Sequence, residues 1–522
     1  MTDLLRHCGA KNLWLLTAVL FSSPALRAQQ PAFTTDDFID RMGIHAARPD
    51  AALLELGIRH YRTVLKNDAT SEDQPAVLGQ FYNRYGIRPT LLLDWAKTGP
   101  PAEMVRLVEQ YHPGVIAAIE GPEDVNNPYG QAPLLKYKGK TGVAGACDYL
   151  TDYYAALKAE PATRGIPVAC FTMLDFVGNG ERDAYGLNSF DYENWQTFQG
   201  AKIPEWRLEA SMVKADSIVG VGHVTKPLIA SACGYNVAGR ADRRAVDIRS
   251  QTRYIPMLYA EYFRHGLVRS YVFKLYNEEQ YGWIGPEGVK RPVFYAVKTL
   301  IRLLKDATWN PWIHDWDNKD FSPRALNFTL VGAPETVHTI LLQKHTGQYT
   351  LLIWNEVSNY DKPHDKDIIN APVPVTLKLM APVNLPVAMY SLNENGTYAL
   401  NVSKFASGVL DLKVPDSVMV LQFTPAAPKD TTPPTPPGVL SATTTNKSVT
   451  LSWTPSKDSV GVAGYFIFRN GEYIGSTPTA TFTDAGNRLR PGLGYTYAVR
   501  AFDAAGNMSV RATATALLKA EG

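Results

Sequence analysis

The chain has 522 residues, 45% of them hydrophobic and 20% charged, with a formal net charge of +2. That length exceeds one ordinary domain, and the composition is that of a globular protein, not a disordered one. The balanced charge lacks the basic footprint of nucleic-acid or anionic-membrane binding, so neither partner is expected.

Residues 1–28 read as a secretory signal: Arg6 and Lys11 supply positive charge, residues 13–21 form an apolar run, and residues 23–28 offer small side chains for cleavage. A secreted or periplasmic protein is expected. No later run is long and apolar enough to predict a membrane span. Of the four cysteines, Cys8 falls in the signal, and Cys147, Cys170 and Cys233 have neither disulfide nor zinc spacing. Cys170 and Cys233 lie in apolar runs and are expected to be buried thiols, with no metal or cofactor.

Over residues 37–310, strand-like and helix-like segments alternate. Strands are predicted at 42–46, 60–65, 87–95, 115–120, 167–174, 187–195, 226–233 and 268–276. Helices are predicted at 50–57, 73–85, 101–111, 147–160, 204–219, 251–265 and 292–305. The fourth strand runs Val115-Ile116-Ala117-Ala118-Ile119 into Glu120-Gly121-Pro122-Glu123-Asp124, a doubly buried strand with acids at its carboxyl end. Eight such units predict an α/β (β/α)8 TIM barrel, whose active sites lie at that end of the strands. A doubly wound sheet is the alternative, but no Gly-rich dinucleotide loop opens a first helix.

Residues 311–425 carry short strands punctuated by Gly, Asn and Pro and predict a β-sandwich packed on the barrel. Residues 426–437 are Pro-rich and predict a stiff spacer. Residues 438–522 resemble a fibronectin type III module in Leu451-Ser452-Trp453, the hairpin at 464–471, and Tyr495, which fits the corner tyrosine of such folds. The spacer predicts that this module is separable.

The barrel resembles the clan A glycoside hydrolases. The carriers are Leu56-Gly57-Ile58-Arg59-His60-Tyr61-Arg62 on strand two, Ile119-Glu120-Gly121-Pro122 on strand four, residues 227–236 on strand seven, and residues 254–276 across the last helix and strand. The resemblance implies an acid/base glutamate after Ile-Glu-Gly-Pro-Asn, a nucleophile glutamate on strand seven, and an arginine at Arg62 orienting that nucleophile. A retaining glycosidase needs those two carboxylates about 5 Å apart.

The chain departs from that pattern. Asp124 stands at the acid/base position and Glu123 at the neighbouring asparagine, while Ala232 occupies the nucleophile position. Alternation along the strand turns Cys233 away from the lumen. The family's Asn-x-His-x-Tyr is read at Asn188–Tyr192, with Phe190 for histidine. Arg62, Trp95, Asn188, Tyr192, Tyr235, Tyr276 and Trp283 are candidate substrate-binding residues, and Asp175, Asp191 and Glu193 are candidates for a relocated carboxylate. The resemblance implies a monomeric carbohydrate-active protein for an extracellular polysaccharide or oligosaccharide, with a non-standard site. The alternative is a catalytically inactive glycan-binding protein on a hydrolase scaffold.

Overall fold

A computed structural model of the chain describes residues 28–67, 73–94, 99–127, 136–173, 184–238, 242, 244–276 and 280–521. Most of the predicted signal, Trp95 and Asp175 lie outside these residues.

Eight parallel strands form the central sheet: β1 (Met42–His45), β2 (His60–Val64), β3 (Arg88–Leu92), β4 (Ala118–Glu120), β5 (Val168–Ala169), β6 (Glu193–Thr197), β7 (Leu228–Cys233) and β8 (Arg269–Val272). They pair in sequence order, and β8 returns to β1 through Tyr271 opposite Gly43. The remaining gap closes where Ala169 bridges Tyr192 and the Cys170 amide donates to the Tyr192 carbonyl at 2.9 Å. The sheet is therefore a closed (β/α)8 barrel. Its interior is tightly filled, and at Gly43 a Cβ would lie 2.5 Å from the Tyr271 ring, so only glycine fits opposite that tyrosine.

The helices cover the barrel through apolar faces. The helix Pro101–Glu109 buries Met104, Val105 and Val108, and Pro292–Leu304 buries Val293, Val297, Leu300 and Leu304. None of the helices among the described residues is long and apolar enough to cross a membrane.

The sandwich consists of a six-stranded and a four-stranded sheet around Phe328, Leu351, Ile353, Leu377, Leu412 and Phe423. The chain enters it twice. Ala28–Gln30 pairs antiparallel with Leu326–Val331, and Phe33–Thr34 pairs parallel with Val337–Gln343, before the barrel begins. These first strands escape a sequence reading because their partners lie some three hundred residues away.

The C-terminal module has a three-stranded sheet facing a four-stranded one. Tyr495 makes the expected corner, donating its hydroxyl to the Arg488 carbonyl at 3.0 Å. The module is not held off on its spacer. Thr225 donates its amide to the Gly494 carbonyl, Gly494 to His223, Gly222 to Gly492 and Ala325 to Gly506, each at 2.8 Å. The spacer lies along the module, with the Thr435 amide on the Lys457 carbonyl at 2.9 Å. The module is therefore docked on the barrel and the sandwich: Pro-rich composition fixes the stiffness of a segment but not where the next unit lands.

A charged junction ties the three units together. The buried Glu261, on the helix Ile248–Arg264, accepts from Trp354 of the sandwich at 3.1 Å and from Arg264 at 2.9 Å, and it pairs with His338 of the sandwich. His265 meets Glu205 at 3.4 Å through Nε2 and Glu472 of the module at 3.1 Å through Nδ1. Carboxylates only accept, so facing one with each ring nitrogen favours the doubly protonated ring. Burial lowers the pKa of His265, but the hydrogen bonds to Glu205 and Glu472 outweigh it and raise it to about 9. Burial likewise opposes His338, and its bonds to Glu261 and Glu356 lift it to about 9.

Both folded values lie above the ordinary 6.5, so the histidines' contribution is complete below that pH and is lost as pH rises through about 9. Thermal unfolding followed from pH 6 to 10 should show Tm falling through this window, and the fall should be shallower in His265→Gln. A chain cleaved within residues 426–437 should co-elute with its module at pH 6.5 and release it by pH 10. A Tm that is flat across this range would refute the charged junction as a clamp.

Candidate active site

The carboxyl ends of the strands converge on a buried polar layer. Arg62 of β2 reaches across to Glu120, the last residue of β4, with Nε to Oε2 at 2.5 Å and Nη2 to Oε1 at 2.9 Å. Glu120 is fully buried and also accepts from Asn194 of β6 at 3.0 Å. His45 of β1 places Nε2 2.6 Å from the Ser231 carbonyl of β7, and Nδ1 3.4 Å from Arg62. Burial first, then the Arg62 charge, hold His45 well below the ordinary histidine pKa. The ring is therefore neutral, donating from Nε2 and turning its Nδ1 lone pair to the guanidinium. Side chains or carbonyls of five strands share this layer.

Gly121 follows Glu120, and a Cβ there would lie 2.8 Å from the Phe171 amide nitrogen, so the strand must end in glycine to pass that backbone. The next turn is laced to the segment after β5. Thr172 donates its amide to the Pro122 carbonyl at 3.0 Å, and Val125 to Thr172 at 3.1 Å. Asp124 sits in that turn at φ 55, a left-handed conformation that aspartate tolerates better than most residues. Its Oδ1 is buried without a hydrogen-bond partner. Burial, reinforced by the Glu123 charge and opposed by Arg62, pushes the Asp124 pKa up to about 6. Glu123, half exposed, binds Arg62 Nη2 at 2.8 Å.

A cleft of about 410 Å³ opens at this mouth, lined by Asp124, Gln196, Phe198, Gln199, Trp206, Arg207, Arg244 and Tyr281 among others. Phe198, Phe273 and Tyr281 meet edge to face at 5.4–6.3 Å and form an aromatic wall. Gln196 donates to Thr172 Oγ1 at 2.9 Å and stands beside Ala232 in the β6–β7 register. Ala232 thus presents a methyl group on the lumen side of β7. Cys233, one residue on, is fully buried with its thiol pKa raised, and it neighbours Tyr259 and Tyr262 of the helix layer.

The mouth therefore collects Arg62, Glu123, Asp124 and Ala232. Other candidates fall elsewhere. Asn188 and Tyr192 precede β6, at the amino end of the barrel, where Asn188 contacts His223 at 3.4 Å and the Tyr192 amide donates to Val168. The register instead brings Gln196 and Phe198, with the same i, i+2 spacing, to the carboxyl end. Tyr235 is buried against Tyr254 at 4.9 Å with its hydroxyl on the Lys202 carbonyl, and Trp283 is fully enclosed, so neither faces the cleft. Tyr276 is 43% exposed and donates to Asp50 at 2.7 Å, on the rim outside the cleft.

Of the relocated-carboxylate candidates, Asp191 and Glu193 fail on position, and Asp175 lies outside the described residues. Asp191 is tied beneath the barrel to Tyr154, Lys158 and the Val168 amide at 2.8–3.0 Å. Glu193 points out towards Asp216, and burial first, then the Asp216 charge, raise its pKa well above the usual range. Sequence reasoning missed His45, Asn194, Gln196 and the aromatic wall; only the i, i+2 pattern at the true end of β6 could have pointed to part of this set. Among the described residues, two groups have metal-donor character, Glu205–Glu261–His338 and Asp430–Asp458–Asp503, and none of these residues lines the cleft. In the first, Arg264 and Trp354 already engage the carboxylates.

No family model matches the chain. Exoglucanase B of Cellulomonas fimi is 37% identical over 130 residues, 24% of this chain and 12% of that protein. Chitinase Chi52 of Paenibacillus xylanexedens is 44% identical over 94 residues, 18% of each chain. The chain thus spans less than a fifth of the length of these curated relatives, over stretches the size of one small domain. Among solved structures, the bacterial orthologue of human α-L-iduronidase aligns over 94% of this chain and 98% of that chain at 12% identity, with a TM-score of 0.46. The chain resembles clan A glycoside hydrolases in its closed barrel, appended sandwich and Ile-Glu-Gly-Pro strand end, with the positions that follow altered.

Because Glu120 is buried, removing its cation should be more damaging than an ordinary core change. Arg62→Met leaves an uncompensated carboxylate and should cost about 3–5 kcal/mol in denaturant unfolding, whereas Glu123→Gln should cost under about 1 kcal/mol. Equal effects would refute the asymmetry between the two carboxylates.

Proposed function

We propose that the chain is an exported carbohydrate-active protein of glycoside hydrolase type, acting as a monomer, whose barrel mouth holds an oligosaccharide and does not run a double displacement. The observation that carries this reading is Ala232, a methyl group on β7 beside a cleft whose wall is aromatic and whose one lining carboxylic acid among the described residues is Asp124. Sugars stack on aromatic faces and hydrogen-bond to amides, and Phe198, Tyr281, Gln196 and Gln199 offer both. A retaining enzyme needs an ionised carboxylate at the anomeric carbon. Here Glu120 and Glu123 are both engaged by Arg62.

Asp124 supports a general-acid role, since its unpartnered oxygen and raised pKa keep it protonated into mildly acidic pH. In that role it would protonate the glycosidic oxygen as the C–O bond breaks, while water attacks from the opposite face and releases its proton to solvent, inverting the anomeric centre. The second reading, a catalytically inactive glycan-binding protein, is favoured by the lack of a described carboxylate across the cleft.

Fluorosugar inhibitors that trap glycosyl-enzymes should leave the intact mass unchanged. A stable adduct at the mouth would refute the proposal. If hydrolysis is found, kcat/KM should fall as pH rises past about 6, where Asp124 loses its proton, and Asp124→Asn should lower kcat by on the order of 10²-fold or more. Oligosaccharide binding by titration calorimetry that survives Asp124→Asn, without turnover in the parent chain, would select the binding reading.

A further inference from the structure

Two arginines stand in the cleft lining, and neither serves the polar layer beneath it. Arg207 precedes the helix Leu208–Ile218 at φ 57, a left-handed conformation that disfavours a non-glycine residue by about 1 kcal/mol. Its guanidinium carbon lies 4.5 Å from the centroid of the half-exposed Trp206 ring. No carboxylate pairs with Arg207 among the described residues. Arg244, also in the lining, anchors its amide on Asp242 Oδ1 at 2.8 Å, while its exposed side chain keeps Nε 3.8 Å from the same carboxylate. Gly200 backs it, with the Arg244 Cβ 3.4 Å from where a Cβ would stand. Lys274, just past β8, lies 5.1 Å over the Phe273 ring of the aromatic wall.

Among the described acids, Asp242 approaches Arg244 at 3.8 Å and none pairs with Arg207. Glu123 is paired with Arg62. Asp124 is largely neutral below about pH 6 through its burial. A neutral glycan would need the aromatic wall and the glutamines; it would not need two guanidinium groups beside an indole.

We infer that the cleft is built for an acidic saccharide, one carrying carboxylate or sulfate groups, with Trp206 stacking a sugar ring and Arg207 and Arg244 taking the anionic substituents. A guanidinium meets a carboxylate or sulfate through two parallel N–H donors, and its stacking on Trp206 leaves the donor edge free. The inference rests on the carbohydrate reading above and narrows it to a chemical class.

Affinity electrophoresis of the full chain should separate the possibilities. Gels containing polygalacturonate or alginate test the carboxylate arm, gels containing carrageenan test the sulfate arm, and dextran, laminarin and xyloglucan serve as neutral polymers. Retardation by one acidic arm, at least about tenfold stronger than by any neutral polymer, is expected. Arg207→Gln and Arg244→Gln should each weaken it about tenfold, and Arg207→Lys by less. Trp206→Ala, which keeps the charge, should weaken it too. Retardation unchanged in Trp206→Ala and Arg207→Gln would mean diffuse charge attraction and would overturn the inference. Equal retardation by neutral polymers would overturn it while leaving the carbohydrate reading in place. No retardation by any polymer would overturn both.

Discussion

The ion pair between Arg62 and Glu120 is the constraint on which the mouth of the barrel depends. It joins β2 to β4 across the lumen in a place without solvent, where each charge is tolerated only because the other is there. Satisfying it draws in Asn194 from β6 and His45 from β1, and His45 in turn reaches Ser231 on β7. Each of these residues must lie at one height in the barrel, so the pair also fixes strand register. Its chemical consequence is subtraction. The acid that ends the apolar run of β4 is spent on structure, and Arg62 takes a second acid, Glu123, at the rim. Of Glu120, Glu123 and Asp124, Asp124 alone lines the cleft, and its Oδ1 is buried without a hydrogen-bond partner.

This asymmetry explains how a fully linked buried layer can stand beside an alanine at position 232. Removing any member of the buried layer strands the others without partners, at a cost of several kcal/mol. Position 232 carries no such linkage. Its side chain sits at the lumen rim beside Gln196, and a methyl group there leaves no buried donor or acceptor unpaired. A barrel can therefore keep its closed register, its strand-four turn and its guanidinium while presenting an alanine on β7. Stability guards the layer and is indifferent to the rim.

Legibility in the sequence followed the same division. The barrel's alternation and the Ile-Glu-Gly-Pro end of β4 are local signals, and the strands stand close to where apolar runs and turn residues put them. Strand six was misplaced towards residues 187–195 because the true strand, Glu193–Thr197, opens on a charge. Its Glu193 is buried beside Asp216 at the face covered by the C-terminal module, and no window along the chain can see that partner. Tyr235 and Trp283 failed as sugar platforms for a related reason. Aromatics after barrel strands look alike in sequence, and only packing separates the enclosed from the exposed. The aromatic wall was hidden because Phe198 follows β6 whereas Phe273 and Tyr281 follow β8, some seventy residues on.

The C-terminal module has a part in the barrel that its spacer conceals. It hydrogen-bonds to residues 222–225, just before β7, and places Arg488 3.8 Å from the buried Asp216, whose neighbour Glu193 opens β6. β6 and β7 are the strands that carry Gln196, Phe198 and Ala232 at their other ends. Two buried carboxylates side by side do not both ionise; Glu193 has its pKa raised by burial and by Asp216, and Arg488 of the module favours the charged form of Asp216. Without the module, the amino ends of β6 and β7 would keep the acids and lose Arg488, and water would have to reach them or the strands would have to shift. The module is thus part of what holds one wall of the cleft in register. A spacing or adhesive role would require only a stiff connection, whereas these contacts bury charge and backbone against the barrel itself.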